Sequence, residues 1–438
     1  KRLLATLLSS TLVMTSLAGC SSKSENGDMV TELTKPITIE MWHYMNGGQA
    51  EVLNEIIEDF NATNDKGITV NAISQGSIVD LNKKVISAAQ SNSLPAIINV
   101  YPDVATGLIE DKKLVNLSSF INDKNVGMAD EMDDFVDAFI QETSQWNNGE
   151  VYGLPMTKST EVLYVNKNML ESLGYTLEDL EDLTFEKLAE ISNKAVTELG
   201  VAGFGFDSSS NAFISSLKMD GLDFVDSKGT INVDNEWVRE YMTFFQKQAE
   251  SGAFRIAGED KFLSNPFVNQ KMLCYQGSSA GYAYLNNDGA FEIAVVEVPV
   301  FEGKDKAVMQ QGASLFVTNN VSAEAQYAAY EFVKFATNAE NTAKFATATG
   351  YLPVRKSAVE TEIVKNILND ETSLYSQVYN VAQKSLPYAY YTPAINNAQS
   401  ARTVAQEKYE AFMSGSIKDV EVLVDDIVSQ VQTSIGRN

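Results

Sequence analysis

The sequence predicts an α/β protein built as two large lobes, and three observations carry that prediction. Strand-like and helix-like hydrophobic periods alternate along the chain, the length exceeds what one core holds, and the composition is that of a folded body. The 438 residues are 44% hydrophobic and 21% charged with 26 Gly and 9 Pro, which excludes collagen-like, low-complexity and disordered classes. At roughly 150 residues per domain the length allows two or three units. Two large lobes are carried forward.

Residues 37–41 alternate as a strand, after which Val52, Leu53, Ile56, Ile57 and Phe60 recur at helical spacing. A second strand over 68–73 leads to a helix carrying Leu81, Val85, Ile86 and Ala89, and a third apolar run, 96–101, ends at Pro102-Asp103. The order βαβαβ implies a parallel sheet with crossover helices. In such sheets ligands bind beyond the carboxyl ends of strands, so residues 42–46, 75–78 and 101–103 become candidates.

From the turn at Asn148-Gly149 the chain enters 151–155, and residues 162–166 read as a buried strand before a helix over 167–173. A second α/β unit is expected to begin here. Thr184 is placed to cap a helix over 185–199, with Glu186 and Glu190 near its start and Lys194 near its end. Strands follow over 201–206, 272–276, 294–298 and 312–318, with a helix over 237–249 and a Gly/Ser-rich loop over 277–281. Three helical stretches, 323–345, 359–380 and 400–434, complete the chain.

The formal net charge is -25, from 33 Lys and Arg against 58 Asp and Glu, so nucleic acid is a poor partner for lack of a basic patch. One histidine, His43, and two cysteines, Cys20 and Cys274, leave no zinc finger or disulfide framework to assemble. No metal site, cofactor or catalytic group is expected. Lys1 and Arg2 precede an apolar stretch of about 15 residues, shorter than the ~20 that span a bilayer, so residues 1–19 read as a secretory signal. Leu17-Ala18-Gly19-Cys20 resembles a bacterial lipobox, which implies a lipidated Cys20 at the mature N-terminus and a protein held on the extracellular face of the cell membrane. Residues 20–35 then form a flexible tether. Cys274, inside an apolar run, reads as a buried structural thiol.

A set of local motifs follows in order behind that segment. They are Ile39-Glu40-Met41-Trp42-His43, Pro95-Ala96-Ile97-Ile98-Asn99-Val100-Tyr101, and the run from Leu154-Pro155-Met156-Thr157-Lys158-Ser159 through Tyr164-Val165-Asn166-Lys167. Gly277-Ser278-Ser279-Ala280-Gly281, Gly312-Ala313-Ser314-Leu315-Phe316-Val317 and Thr349-Gly350-Tyr351-Leu352-Pro353 complete the set. Together they are similar to the extracellular solute-binding proteins of bacterial ABC importers, in the group of maltose-type and glycerol-3-phosphate-type binders. The resemblance implies the type II periplasmic-binding-protein fold: two lobes, each a mixed, mainly parallel sheet flanked by helices, with a ligand cleft between them. It implies chain crossings near 146–150, 305–310 and 350. The first lobe would hold residues 36–147 and 309–350, and the second residues 148–308 and 351–438.

The glycerol-3-phosphate pattern carries over onto Ser159, Ser278, Ser279, Gly312 and Tyr351. Three positions depart: a tyrosine falls at Ile78, an acid at Pro102 with Asp103 adjacent, and the phosphate-binding arginine near Ala394. In a protein this acidic an anion needs local compensation, and arginine supplies it bidentately. A neutral carbohydrate, mono- or oligosaccharide, is therefore the expected ligand, with glycerol-3-phosphate or a glycerophosphodiester as the alternative.

Sugars present apolar ring faces and hydroxyl edges, so flat aromatics beside Asp, Ser and backbone donors suit them. Trp42 and Tyr44 after the first strand, Asp103 after the third, and Tyr391 within the cluster Tyr388, Tyr390, Tyr391 join the candidate contacts. Their structural alternatives are surface packing for the rings, a helix cap for Asp103, and turn closure for the serines. His43 reads as structural. The expected function is substrate capture by a monomer that delivers ligand to membrane permeases. A surface glycoside hydrolase using two carboxylates is the enzymatic competitor, and a protein-binding scaffold of the same fold is a third reading.

Overall fold

The structure, a computed structural model, describes residues 29–436. The expected signal segment, Cys20 and most of the expected tether lie outside the described residues. The strands are β1 (Ile37–His43), β2 (Ile68–Ser74), β3 (Ile97–Val100), β4 (Gly153–Ser159), β5 (Glu161–Asn166), β6 (Phe204–Phe206), β7 (Phe254–Ile256), β8 (Cys274–Ser278), β9 (Ile293–Val296), β10 (Val308–Met309), β11 (Gln311–Val317) and β12 (Ala389–Tyr390). They form one sheet in the order β2-β1-β3-β11-β4, a second in the order β7-β6-β8-β5-β9, and a short β10-β12 ladder. The two-sheet α/β fold is thus the one the sequence implies.

Both sheets are mixed, as the resemblance implies. In the first sheet β1 pairs parallel with β2 and β3, whereas β11 runs antiparallel to β3 and β4. The second sheet repeats this, with β6 parallel to β7 and β8 and β5 antiparallel to β8 and β9. The antiparallel strands β5 and β11 are each the strand reached as the chain crosses from the other lobe, with no crossover helix to enforce a parallel entry.

The passage between sheets differs from the expected crossing near 146–150. Residues 153–159 form the outer strand β4 of the first sheet, and the chain enters the second sheet at β5, with only Thr160 between. Pro155 fits such an edge position, where its missing N–H is tolerated. Gly153 lets β4 lie against β11: a Cβ there would sit 2.7 Å from the Phe316 ring. Leu352 and Val354 also pack into the first lobe's core.

In the first lobe, helix α1 (Gly48–Thr63) lays Leu53, Ile56, Ile57 and Phe60 on the sheet, and α2 (Ile78–Gln90) begins at a capping box of Ser77 and Asp80. Ile86, expected on its buried face, is exposed. Helix α3 (Pro102–Glu110) follows β3 directly. In the second lobe the helix Phe185–Leu199 starts where expected, with Thr184 Oγ1 accepting from the Lys187 N–H at 3.1 Å. Its Phe185 ring stands 4.5 Å from Phe301 within a cluster including Phe204, Phe206 and Phe245. Truncating such a ring costs about 3–5 kcal/mol.

The three long helical stretches are broken. Residues 323–345 divide into Ala323–Ala336 and Ala339–Thr349, because Asn338 caps the second helix through the Asn341 N–H at 2.8 Å. Residues 359–380 become Glu362–Leu368 and Leu374–Ser385, and 400–434 become Ala398–Met413 and Val420–Ser434. Gly415, at φ +76°, ends the first of that last pair.

Candidate functional site

Val100 ends β3, and Tyr101-Pro102-Asp103 turns at once into α3, with Tyr101 at the N-cap and Pro102 in the first turn. This geometry puts Asp103 at a helix N-terminus, where its Oδ1 accepts from the Val104 N–H at 2.8 Å. Burial raises the Asp103 pKa above the usual carboxylate range, opposed by the Val104 N–H and by Arg402. Arg402 arrives from the second lobe on the helix Ala398–Met413 and is 8% exposed. Its Nη2 donates to Asn211 Oδ1 and to Ser210 Oγ, and among the described residues no acceptor holds Nε or Nη1.

Asn211 passes this order on, its Nδ2 donating to Glu161 Oε1 at 2.8 Å and to Gln311 Oε1 at 3.0 Å. Gln276 Nε2 holds the other Glu161 oxygen at 2.9 Å. Burial raises Glu161 above its ordinary pKa, and these two amides pull the other way. On the first lobe, Lys158 Nζ reaches Glu142 Oε2 at 2.7 Å and the Gly312 carbonyl at 3.0 Å. Burial raises Glu142 as well, opposed by Lys158.

Tyr101, Asp103, Glu142, Gln310, Gly312 and Arg402 line a cavity of about 30 Å³ between these groups. That is about the share of one water in the liquid, so a sugar or glycerol phosphate enters only if the lobes part. A groove of about 800 Å³ lies elsewhere, between Asp137, Gln141 and Arg355 on one side and Tyr379 and Gln383 on the other. It holds none of the expected contacts.

Asp103 and Gly312 are the two expected residues on the small cavity. Gly312 is conformationally required: at φ +138° a Cβ would fall 1.6 Å from the Thr157 carbonyl oxygen. Tyr44 and Tyr351 meet each other, the Tyr44 hydroxyl standing 3.1 Å from Thr157 Oγ1 and 3.4 Å from the Tyr351 hydroxyl. Phe345 stacks on Tyr351 at 5.8 Å. Ser159 is buried opposite Gln311 in the β4–β11 ladder, and Tyr391 follows β12, half-buried and within electrostatic reach of Glu142. Ser278 Oγ accepts from the Ala280 N–H, and Ser279 Oγ accepts from the Thr160 N–H while its own N–H donates to the Thr160 carbonyl at 2.7 Å. Trp42 lies within β1, its indole N–H donating to Glu40.

His43 is buried and accepts from the Met45 N–H at 3.1 Å; burial lowers its pKa to about 4, so it is neutral at pH 7. The Cys274 thiol is buried and pushed well above its ordinary pKa. Among the described residues no cluster of His, Cys, Asp or Glu could hold a metal ion, and no helix is long and apolar enough to cross a membrane.

The position near Ala394 was to leave the site without a cation, and Ala394 does only give its backbone N–H to Gln145. Eight residues further on, however, Arg402 supplies a guanidinium. The signal was present: Ala398, Ala401 and Ala405 form a small-residue stripe on that helix, and Arg402 shares their buried side. Glu142, Lys158 and Asn211, each from a different segment, left no comparable trace.

The family model for bacterial extracellular solute-binding proteins matches residues 55–370. The chain belongs to that family. This solute-binding protein is also 23% identical over 414 residues to a sn-glycerol-3-phosphate-binding periplasmic protein of Rhizobium meliloti, covering 91% of the chain and 94% of the relative. A protein of the same name from Shigella flexneri is 24% identical over 337 residues, covering 74% and 75%. Among solved structures, the cyclic α-maltosyl-1,6-maltose binding protein of Arthrobacter globiformis superposes with a TM-score of 0.77 at 18% identity, covering 92% of this chain and 100% of that one. UgpB of Mycobacterium tuberculosis, in complex with glycerophosphocholine, gives 0.77 at 20% identity, covering 92% and 99%. The solute-binding protein is therefore the substrate-binding component of an ABC importer and not an enzyme.

Proposed function

We propose that this solute-binding protein captures a small polyol carrying one phosphate, of the glycerol-3-phosphate or glycerophosphodiester class, by closing its lobes. The observation that carries the reading is Arg402. Its Nη2 is spent on Asn211 and Ser210, which fixes the plane of the guanidinium, and Nε and Nη1, on separate edges of that plane, are left to donate charge-assisted hydrogen bonds to a phosphate. Asp103 and the tyrosine hydroxyls of Tyr44 and Tyr351 would accept from and donate to the polyol, with Ser159, Ser278, Ser279 and Gly312 bordering it, while Trp42 and Tyr391 stand further out. The names of the curated relatives support the same class.

A neutral mono- or oligosaccharide is the second reading. Tyr44, Tyr101 and Tyr351 offer aromatic faces near Asp103, the arrangement sugars favour, and the Arthrobacter neighbour is named for a cyclic sugar. Isothermal titration of the chain from Ser21 onward with glycerol-3-phosphate, glycerophosphocholine and maltose tests both. Heat from the phosphates alone supports the first reading, and heat from maltose alone overturns it.

In this reading the lobes hinge where the chain passes between sheets, near Thr160, Gln310 and residues 350–353. Lipidation of Cys20 would hold the monomer on the outer face of the cell membrane, beside its permease partners. Replacing Cys20 by Ala and finding the protein still in the membrane fraction would refute the anchor.

A further inference from the structure

Helix α3 and the helix Ala398–Met413 come from opposite lobes and meet at two places. Asp103, in the first turn of α3, faces Arg402 electrostatically. Glu110, in its last turn, accepts a hydrogen bond from Asn396 Nδ2, just ahead of the other helix. Asp103, Gly107 and Glu110 are spaced i, i+4, i+7 and so share one face of α3. The second helix therefore runs along that face in the opposite sense, with the cavity at one end and Asn396 at the other.

Residues 391–397 make the connection. They leave β12, which pairs with β10 at the crossing between sheets, and end at Asn397, the N-cap residue of the helix. Neighbouring residues in this strap serve opposite lobes: Ala394 packs with the first lobe's cluster around Leu108 and Trp146, and Ile395 with the second lobe's core. The Ala394 N–H donates to Gln145 Oε1 at 2.7 Å, and Gln145 Nε2 is itself fixed on the Glu142 carbonyl at 2.9 Å. Gly107 admits Asn396 closely, since a Cβ there would lie 3.2 Å from Asn396 Oδ1. Thr392 of the same strap lines the cavity.

We infer that this strap is a latch: Asn396 on Glu110, with Ala394 on Gln145, holds the lobes closed over the site, and Asn396 and Glu110 are positioning residues that never touch ligand. The inference does not depend on which solute is bound. The Asn396–Glu110 contact joins the entry to the second lobe's helix with the first lobe's α3, so it biases the open–closed equilibrium and slows release without altering the contacts made to ligand.

Small-angle scattering of the ligand-free chain tests it, using wild type, Glu110→Ala, Asn396→Ala and the double variant. Both positions are exposed, and melting curves check that each variant folds. The expected result is a larger radius of gyration for each single variant and no further increase in the double. Gly107→Ala, which crowds Asn396 Oδ1, should give the same shift. Stopped-flow release of glycerol-3-phosphate, or of maltose if only that binds, should be about three- to tenfold faster in each single variant, as loss of one solvent-exposed hydrogen bond implies, with association no slower, since solute enters the open form. Superposable scattering curves, or additive effects in the double variant, overturn the latch. Failure of wild type to bind glycerol-3-phosphate refutes the phosphate reading instead, and scattering still decides the latch.

Discussion

Lys158 Nζ lies 2.7 Å from Glu142 Oε2 and 3.0 Å from the Gly312 carbonyl oxygen, with the Lys158 side chain wholly shut off from solvent. The pair ties β4 to the segment before it, at the point where the chain leaves the first sheet. Gln310 Nε2 adds a bond to the Ala138 carbonyl at 2.8 Å. A buried pair of this kind gives modest net stability, because desolvation offsets attraction, but losing one partner strands the other.

Lys158→Met should therefore lower unfolding free energy by about 3–5 kcal/mol, and adding Glu142→Leu should restore most of that loss. Urea denaturation of the single and double variants measures both. A single variant as stable as wild type would show that Glu142 simply takes up a proton.

Arg402→Ala should weaken binding of glycerol-3-phosphate by about 100-fold, the upper worth of a charge-assisted hydrogen bond. Arg402→Lys keeps the charge but not the planar guanidinium that Asn211 and Ser210 orient, so it should recover only part of the affinity. Calorimetric titration gives both numbers, and equal affinity in all three proteins would remove Arg402 from the site.

Gly312→Ala forces a side chain into a backbone conformation at φ +138° and 1.6 Å from the Thr157 carbonyl oxygen. The β4–β11 ladder has to shift to relieve it, at a cost of roughly 3 kcal/mol or more. A melting temperature within a degree of wild type would contradict this.

Asp207 gives a pH dependence with a defined sign. Burial raises its pKa to about 7 from 3.8, against the pull of the Leu263 N–H, which it accepts at 2.6 Å. Between those two values the folded state holds a proton that the unfolded state has lost, so its contribution to stability falls as pH rises from about 4 to 7. Asp207→Asn should remove that fall, leaving the variant on the order of 2–4 kcal/mol more stable at pH 8 than at pH 4 relative to wild type. Denaturation midpoints at the two pH values decide it. A constant difference between the proteins would rule out the titration.

Much of the fold was legible because it is local. The alternation over 37–41, the spacing of Leu53, Ile56 and Phe60, and the cap at Thr184 each depend on residues within a turn or two of one another, and each element formed there. The broken helices were not legible in the same way. Hydrophobic periods run on through Asn338 and Gly415, and the breaks follow from a capping bond and a left-handed turn. The edge position of β4 was half-visible in Pro155, but which sheet it borders depends on β11, more than 150 residues later.

The sequence by itself determined most strands and the shorter helices, the acidic character, the scarcity of histidine and cysteine, and motifs that resemble one family. Only the tertiary structure decided that Arg402 stands opposite Asp103, that Lys158 is paired inside, and that Asn396 reaches Glu110. Those partners are from 16 to about 300 residues apart in the chain. Periodicity and spacing report neighbours along a helix or strand, whereas charge pairing across a cleft is fixed by how two separately folded cores are set against each other.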